Sequence, residues 1–325
     1  MAAGEPRTSL IDDPRLLAGA AGGLVSALAA LCAFRGLPGG IGLFWLSPLP
    51  LFLAGLGFGK TALAIAVAVG GVALLLTTPG SLPLLFWLAL YGVPALLLVA
   101  AGLQGGPDPR PMATDTGIAP APPAAAHLAL GLPLAILGIW PAVILLLISL
   151  LISGEGGLEG LLREAVSIGM SRMGAEASDA VLRQIVRLQA AALALWVGLT
   201  LLANAAGAQG FLQRRGLALA APPAWRSARL PAWYPALPAL AGVLWWLADP
   251  AAELLPLSLC LVLAIPLVLQ GLAVMHTRLA GFAARLPLLI LLYVLILVFS
   301  LPGALVLVAL GLLEQYGRRT PPANM

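Results

Sequence analysis

Hydrophobic positions along the chain gather into long blocks that short polar breaks interrupt, and these blocks match neither strand alternation nor a one-sided helix stripe. A helix needs about 20 apolar residues to cross a ~30 Å hydrocarbon layer. That rule predicts spans over 17–34, 41–58, 61–78, 82–103, 128–152, 187–212, 235–249, 254–275 and a final run over 286–313. Two of these are ambiguous. The segment 41–58 holds Pro48 and Pro50 among many glycines, and reads as either a broken span or a re-entrant hairpin. The last run is too long for one upright helix and too short for two, with Pro302 and Gly303 near its middle, so it reads as a kinked helix or one with a returning half.

Two stretches depart from this pattern. Residues 104–126 are rich in Pro, Gly and Ala without an apolar period, and read as a flexible or polyproline-like linker. Over 158–188, Leu158, Leu162, Val166, Met170, Met173, Val181 and Ile185 recur at helical spacing between charges. This predicts an amphipathic helix at the membrane interface, with a break near Gly174. The expected architecture is all-α: a single integral membrane domain over 1–325, a polytopic transmembrane helix bundle of about eight or nine spans with one amphipathic interfacial helix.

Composition agrees with that picture. The 325 residues are 61% apolar and only 9% charged, too few charges to clothe a water-facing surface of this size. Of the 17 basic residues only Lys60 is not Arg, a bias that, beside abundant Ala, Gly and Pro, suits a high-GC bacterial genome and an inner membrane. The net charge of +4 sits in loops, where anionic lipid heads account for it, and no basic stripe suggests nucleic acid. With the N-terminus in the cytoplasm, Arg7, Arg15, Lys60, Arg110, Arg214, Arg215, Arg226, Arg229, Arg278 and Arg285 all face inward, as the positive-inside rule prefers. The four Arg of 155–187 run against this orientation, and Arg318 and Arg319 would need the last run to cross twice.

No catalytic constellation is legible, and the chain reads as a non-enzyme. His127 and His276 are the only histidines, too few for a three-His metal site, and neither has Cys or carboxylate neighbours at ligand spacing. No metal or cofactor is expected. Cys32 and Cys260 fall inside apolar stretches and read as buried thiols. Asp249 and Glu253, four apart across Pro250, read as solvated loop charges. "AGLGFGKT", Ala54–Thr61, satisfies a relaxed phosphate-loop pattern, but its flanks are membrane spans where a strand and an open nucleotide pocket are required.

What remains are uncharged polar and aromatic groups inside spans, which are costly in lipid and so point to a bundle interior or a pathway. Asn204, Gln209 and Gln270 are the amide candidates, either as hydrogen-bonding glue between helices or as the lining of a polar cavity. Asn204 and Gln209 are about 140° apart around a helix and do not share a face closely. Trp45, beside the double proline, and Tyr91, before Pro94, are placed to stack on a planar ligand. Gly19 with Gly23 permits close helix packing.

Three stretches carry a family resemblance: "LSPLPLFLAGLGFG" before an Ala-rich helix; "NAAGAQGFLQRRG" with its "RLPAW" loop; and the ending "LQGLAVMHTRLAG…RLPLLILLYVLILVFSLPGALVLVALGLLEQYGRR". Together they resemble the DUF2232 family of uncharacterised bacterial membrane proteins. That family is distantly similar to the substrate-binding (S) components of energy-coupling-factor vitamin transporters. The resemblance implies a membrane-embedded small-molecule binding or transport protein, with ATPase and coupling subunits supplied in trans; the amphipathic helix, read from its residues, either lies in the interface or against its neighbours or forms a lid over the cavity. It assigns no functional residues. The other role expected is a scaffold or assembly factor whose polar residues only join helices.

Overall fold

A computed structural model describes residues 13–104, 127–152, 156–174, 178–223, 229–250 and 252–317. The predicted linker, apart from Gln104, lies outside the described residues, as do Arg7, Arg110, Arg226, Arg318 and Arg319. The described chain is helical, and eight segments are long and apolar enough to cross a membrane, with the interrupted stretches Gly40–Phe58 and Leu82–Gly102 counted as one each. The helices are α1 (Pro14–Phe34), α2 (Gly40–Leu46), α3 (Pro48–Phe58), α4 (Lys60–Thr77), α5 (Leu82–Trp87), α6 (Val93–Gly102), α7 (Gly131–Leu151), α8 (Gly157–Arg172), α9 (Asp179–Arg214), α10 (Ala236–Leu247), α11 (Leu254–Leu279), α12 (Arg285–Val298) and α13 (Ser300–Gly317). Large apolar side chains such as Leu28, Ile41, Leu76, Leu150, Trp246 and Leu297 lie exposed on their outer faces. Such a surface suits lipid as solvent, and the helices must then be held by close packing and hydrogen bonds rather than by hydrophobic burial alone.

The chain forms two compact units. One comprises Met1–Ala129 with Val197–Ala224, the other Leu130–Trp196 with Trp225–Met325, so α9 contributes its second half to the first and its first half to the second. At 36 residues α9 is about 54 Å long, well beyond one hydrocarbon thickness. It absorbs the latter part of the predicted amphipathic segment, whose first part is α8. Between them Gly174 turns with φ +66°, a left-handed conformation that ends α8 where the break was expected.

In the first unit α1 and α4 run parallel. A Cβ on Gly19 would stand 2.6 Å from the carbonyl oxygen of Ala62, and one on Gly23 would overlap that of Ala66; a common sequence offset means a common direction. At their far ends the Arg35 guanidinium donates to the Thr77 carbonyl at 2.9 Å, which caps α4. The small residues at 19 and 23 are therefore what lets the two backbones touch.

The predicted span 41–58 is a broken span and not a hairpin. Pro48 and Pro50 cannot donate to the carbonyls of Phe44 and Leu46, and their rings would collide with them, so α2 ends at Leu46. Ser47 between the two helices keeps helical dihedrals (φ −54°, ψ −35°), and the chain continues in one direction. Pro94 acts similarly on the next span but one. The ladder there slips by one residue, giving a π-helical turn, Leu88–Gly92, in which the Val93 N–H bonds back to Leu88.

In the second unit α11 and α13 are antiparallel. A Cβ on Gly271 would overlap the Leu307 carbonyl oxygen, and one on Gly311 would stand 2.5 Å from that of Leu267. Ala142 of α7, Ala194 of α9, Ala241 of α10 and Val262, Leu263 and Ile265 of α11 form a shared core. The run 286–313 is two helices. Pro302 would collide with the Val298 carbonyl four residues back, so α12 stops at Val298, one turn earlier than the proline itself. A Cβ on Gly303 would lie 3.3 Å from Ile296 Cα, a separation that a straight helix forbids over seven residues, so the chain doubles back.

The span expected at 235–249 needs correcting. Its helix, α10, has 12 residues and covers about 18 Å, too short to cross alone. Pro231 and Pro235 keep 229–235 out of a regular helix, and this stretch lies along α11 from Gln270 to Leu263.

Candidate functional site

The two interrupted spans of the first unit meet at their breaks. Trp87, the last residue of α5, is fully buried; its indole fits where Gly70 and Gly92 carry no side chain, and its Nε1 donates to Ser47 Oγ at 3.0 Å. Ser47 Oγ in turn donates to the Ser26 carbonyl of α1 at 3.0 Å, with Ser26 Oγ also 3.0 Å away. One hydroxyl thus joins three elements at the point where two prolines have removed backbone donors. One turn away from each, the Tyr91 ring packs on Phe44 with centroids 4.8 Å apart, and Phe44 lies against Phe34 and Phe86.

Asn204, on the second half of α9, closes the same break from another side. Its Nδ2 donates to the Trp45 carbonyl at 2.8 Å and to the Thr200 carbonyl at 2.8 Å. Trp45 lies in the last turn of α2, where carbonyls can lose their helical donors, so Asn204 adds a donor next to the Phe44 and Leu46 carbonyls that the prolines leave. Two groups are then left open. The Tyr91 hydroxyl and Asn204 Oδ1 are buried and have no hydrogen-bond partner among the described residues. A buried polar atom without a partner costs roughly 1–3 kcal/mol, so each needs a reason for persisting.

Of the residues singled out from sequence, Trp45, Tyr91 and Asn204 converge here, although the Trp45 side chain is half exposed and its carbonyl is what Asn204 contacts. Gln209 does not join them. Its Nε2 donates to the Ala220 carbonyl at 2.7 Å, which fixes the chain returning from α9, while its Oε1 and the Nε2 of Gln213 are buried without partners. That return segment is tied down further by Leu219 N–H to the Leu56 carbonyl (3.1 Å), by Leu128 N–H to the Ala221 carbonyl (3.2 Å), and by His127 Nδ1 at 2.7 Å from the Pro222 carbonyl. Ser26, Ser47 and Trp87 were not picked out, although a serine directly before Pro-x-Pro inside a span was a usable signal.

Gln270 belongs to the second unit. Its Oε1 accepts from the Leu230 N–H at 3.4 Å, and its Nε2 donates to the Gly311 carbonyl (3.3 Å) and Gln315 Oε1 (3.1 Å). Gln315 Nε2 donates to the Leu230 carbonyl at 2.7 Å, so both backbone polar groups of one residue in the non-helical stretch are held by two glutamines. Tyr234 Oη donates to the Leu263 carbonyl at 2.9 Å. Irregular backbone at this depth persists only where protein groups satisfy it, and these three side chains do so.

The remaining sequence candidates find ordinary partners. Glu253 accepts from Arg187 at 3.3 Å rather than standing solvated, whereas Asp249 is exposed. The Ala54–Thr61 stretch is helical to Phe58, turns at Gly59 (φ +96°) and re-enters a helix at Lys60; its Gly55 packs on Leu63 and Val99, so its amides do not form a phosphate cradle. Among the described residues no three His, Cys, Asp or Glu side chains gather closely enough to hold a metal ion.

A family model described as a predicted membrane protein (DUF2232) matches residues 163–314, somewhat under half of the chain. Over that part the chain is similar to a membrane protein family of unknown function. The match includes the exit of α9 and the run through α11–α13, and it stops short of the early broken span. No curated protein and no solved structure matches.

Proposed function

We propose that this multi-pass membrane protein binds a small molecule inside its first unit, where the interrupted spans Gly40–Phe58 and Leu82–Gly102 meet, as a step in transport. The observation that carries this reading is the pair of buried polar atoms without a partner among the described residues: Tyr91 Oη, whose ring packs on Phe44, and Asn204 Oδ1, whose amide nitrogen holds the Trp45 carbonyl. Discontinuous helices are favoured at transport sites because their freed backbone groups and bend points can reorganise around a ligand. Working in the manner of an energy-coupling-factor S component, the protein would leave ATP hydrolysis to separate coupling subunits. Unit 1 also favours a cytoplasmic N-terminus. The parallel α1 and α4 put Arg15 and Lys60 at one edge, α9 brings Arg214 and Arg215 to it through Leu212 beside Gly57, and only Arg35 stands at the other end of α1.

Native mass spectrometry of the full chain released from a mild detergent tests the proposal. A discrete adduct on the wild type that is lost in Asn204→Leu and Tyr91→Phe supports it. Adducts limited to phospholipid, equally abundant in all three, would remove it.

A scaffold or assembly role is the second reading, and the Gln270–Gln315 clamp favours it, since amides there serve only to hold backbone. It predicts that Gln270→Leu and Asn204→Leu change assembly with any uptake left intact.

A further inference from the structure

We infer that the molecule bound at this site is electrically neutral and carries an N–H or O–H group that donates to Asn204 Oδ1. This rests on the binding reading above and goes beyond it by naming the chemistry of the ligand. Two observations carry it. The first is the absence of charge in the wall. The spans Gly40–Phe58 and Leu82–Gly102 contain no Asp, Glu, Lys, Arg or His, and the charges on α1, α4 and the second half of α9 (Arg15, Lys60, Arg214) stand at helix ends. An ion at the depth of Ser47 would lose its hydration with no counter-charge to replace it, a cost of several kcal/mol even after relaxation.

The second is the direction of the open valences. Both hydrogens of the Asn204 amide are committed to the Trp45 and Thr200 carbonyls, which also fixes which end of the amide is oxygen, because the reverse placement would set oxygen against oxygen. Oδ1 can therefore only accept. The Tyr91 hydroxyl can donate or accept and does neither within the described residues. Ser47 Oγ adds nothing to a ligand, since it already accepts from Trp87, donates to Ser26 and abuts Ser26 Oγ. The site thus asks for one donor, tolerates one acceptor and supplies the aromatic rings of Phe44 and Tyr91 for the remainder.

Equilibrium dialysis on the full chain in nanodiscs, against empty nanodiscs, tests this with four probes of similar size: indole, 1-methylindole, tryptamine and indole-3-acetate. Indole should bind saturably, with 1-methylindole about tenfold weaker for want of one hydrogen bond, and with tryptamine and indole-3-acetate no higher than in empty nanodiscs. Asn204→Leu should erase the preference for indole over 1-methylindole, and Tyr91→Phe, whose lost hydroxyl neither neutral probe can bond, should leave that preference intact. Asn204→Ala gives the same reading if Asn204→Leu does not fold. Equal binding of indole and 1-methylindole, or saturable binding of a charged probe that depends on Asn204, would sink the inference while leaving the binding site standing. No saturable binding that either variant alters would overturn both.

Discussion

Both units contain membrane-depth backbone that prolines have broken, yet the two breaks end differently. In the second unit the stretch 229–235 is closed on every side: Gln270 and Gln315 take both polar groups of Leu230, and the Tyr234 hydroxyl is spent on Leu263. In the first, Asn204 holds the Trp45 carbonyl and Ser47 ties the break to α1 and α5, but Asn204 keeps one oxygen idle and Tyr91 its whole hydroxyl among the described residues. The amide side chains are of the same kind and both buried. A polar residue in lipid therefore does not by itself mark a site; what sets Tyr91 and Asn204 apart is spare hydrogen-bonding capacity beside a broken span.

Breaking the closed side should produce the largest effect. Gln270→Leu strands the Leu230 N–H and strips Gln315 of a partner, leaving buried polar groups at roughly 1–3 kcal/mol each. A fall of about 3 kcal/mol in unfolding free energy is expected, followed by fluorescence-detected chromatography of heated, detergent-solubilised protein. Stability unchanged to within 0.5 kcal/mol, roughly the level of a neutral surface change, would mean the clamp is not formed. Asn204→Leu should cost less, about 1–2 kcal/mol, because it uncaps one carbonyl but also removes an idle oxygen. The same assay ranks the two.

How much of this was visible beforehand follows from what each residue type can signal alone. Blocks of about twenty apolar residues forced the membrane fold, and the eight long helices stand where those blocks do. Prolines announced the breaks but not their places, because a proline acts on the carbonyl four residues earlier: Pro302 ends α12 at Val298, and Pro50 ends α2 at Leu46. The span 235–249 was misjudged because its helix has only 12 residues, Pro231 and Pro235 holding the residues before it out of a regular helix. Asn204 and Gln270 were recognised as costly in lipid, but which of them has spare valence depends on partners 159 and 40 residues away in sequence, beyond any local pattern. Ser26, Ser47 and Trp87 escaped notice because serine is cheap in a helix and tryptophan in a span suggests an interface, whereas this one is fully buried.

The finest test of the comparison deletes one oxygen atom from each unit. Tyr234→Phe removes a hydroxyl that donates to the Leu263 carbonyl, so it should cost about 1 kcal/mol, the usual net worth of one hydrogen bond. Tyr91→Phe removes a hydroxyl that is equally buried but unpartnered, and a group that pays desolvation without return should be missed by nothing in the fold. Its expected change is nil or a gain of up to about 1 kcal/mol, with the ring still packed on Phe44 and only ligand retention impaired. Parallel melting curves of the two variants read the difference directly. If Tyr91→Phe destabilises as much as Tyr234→Phe, its hydroxyl has a structural partner such as a fixed water, and the distinction between an open and a closed break disappears. A stable Tyr91→Phe that no longer holds the wild-type adduct would instead separate folding from binding at a single atom.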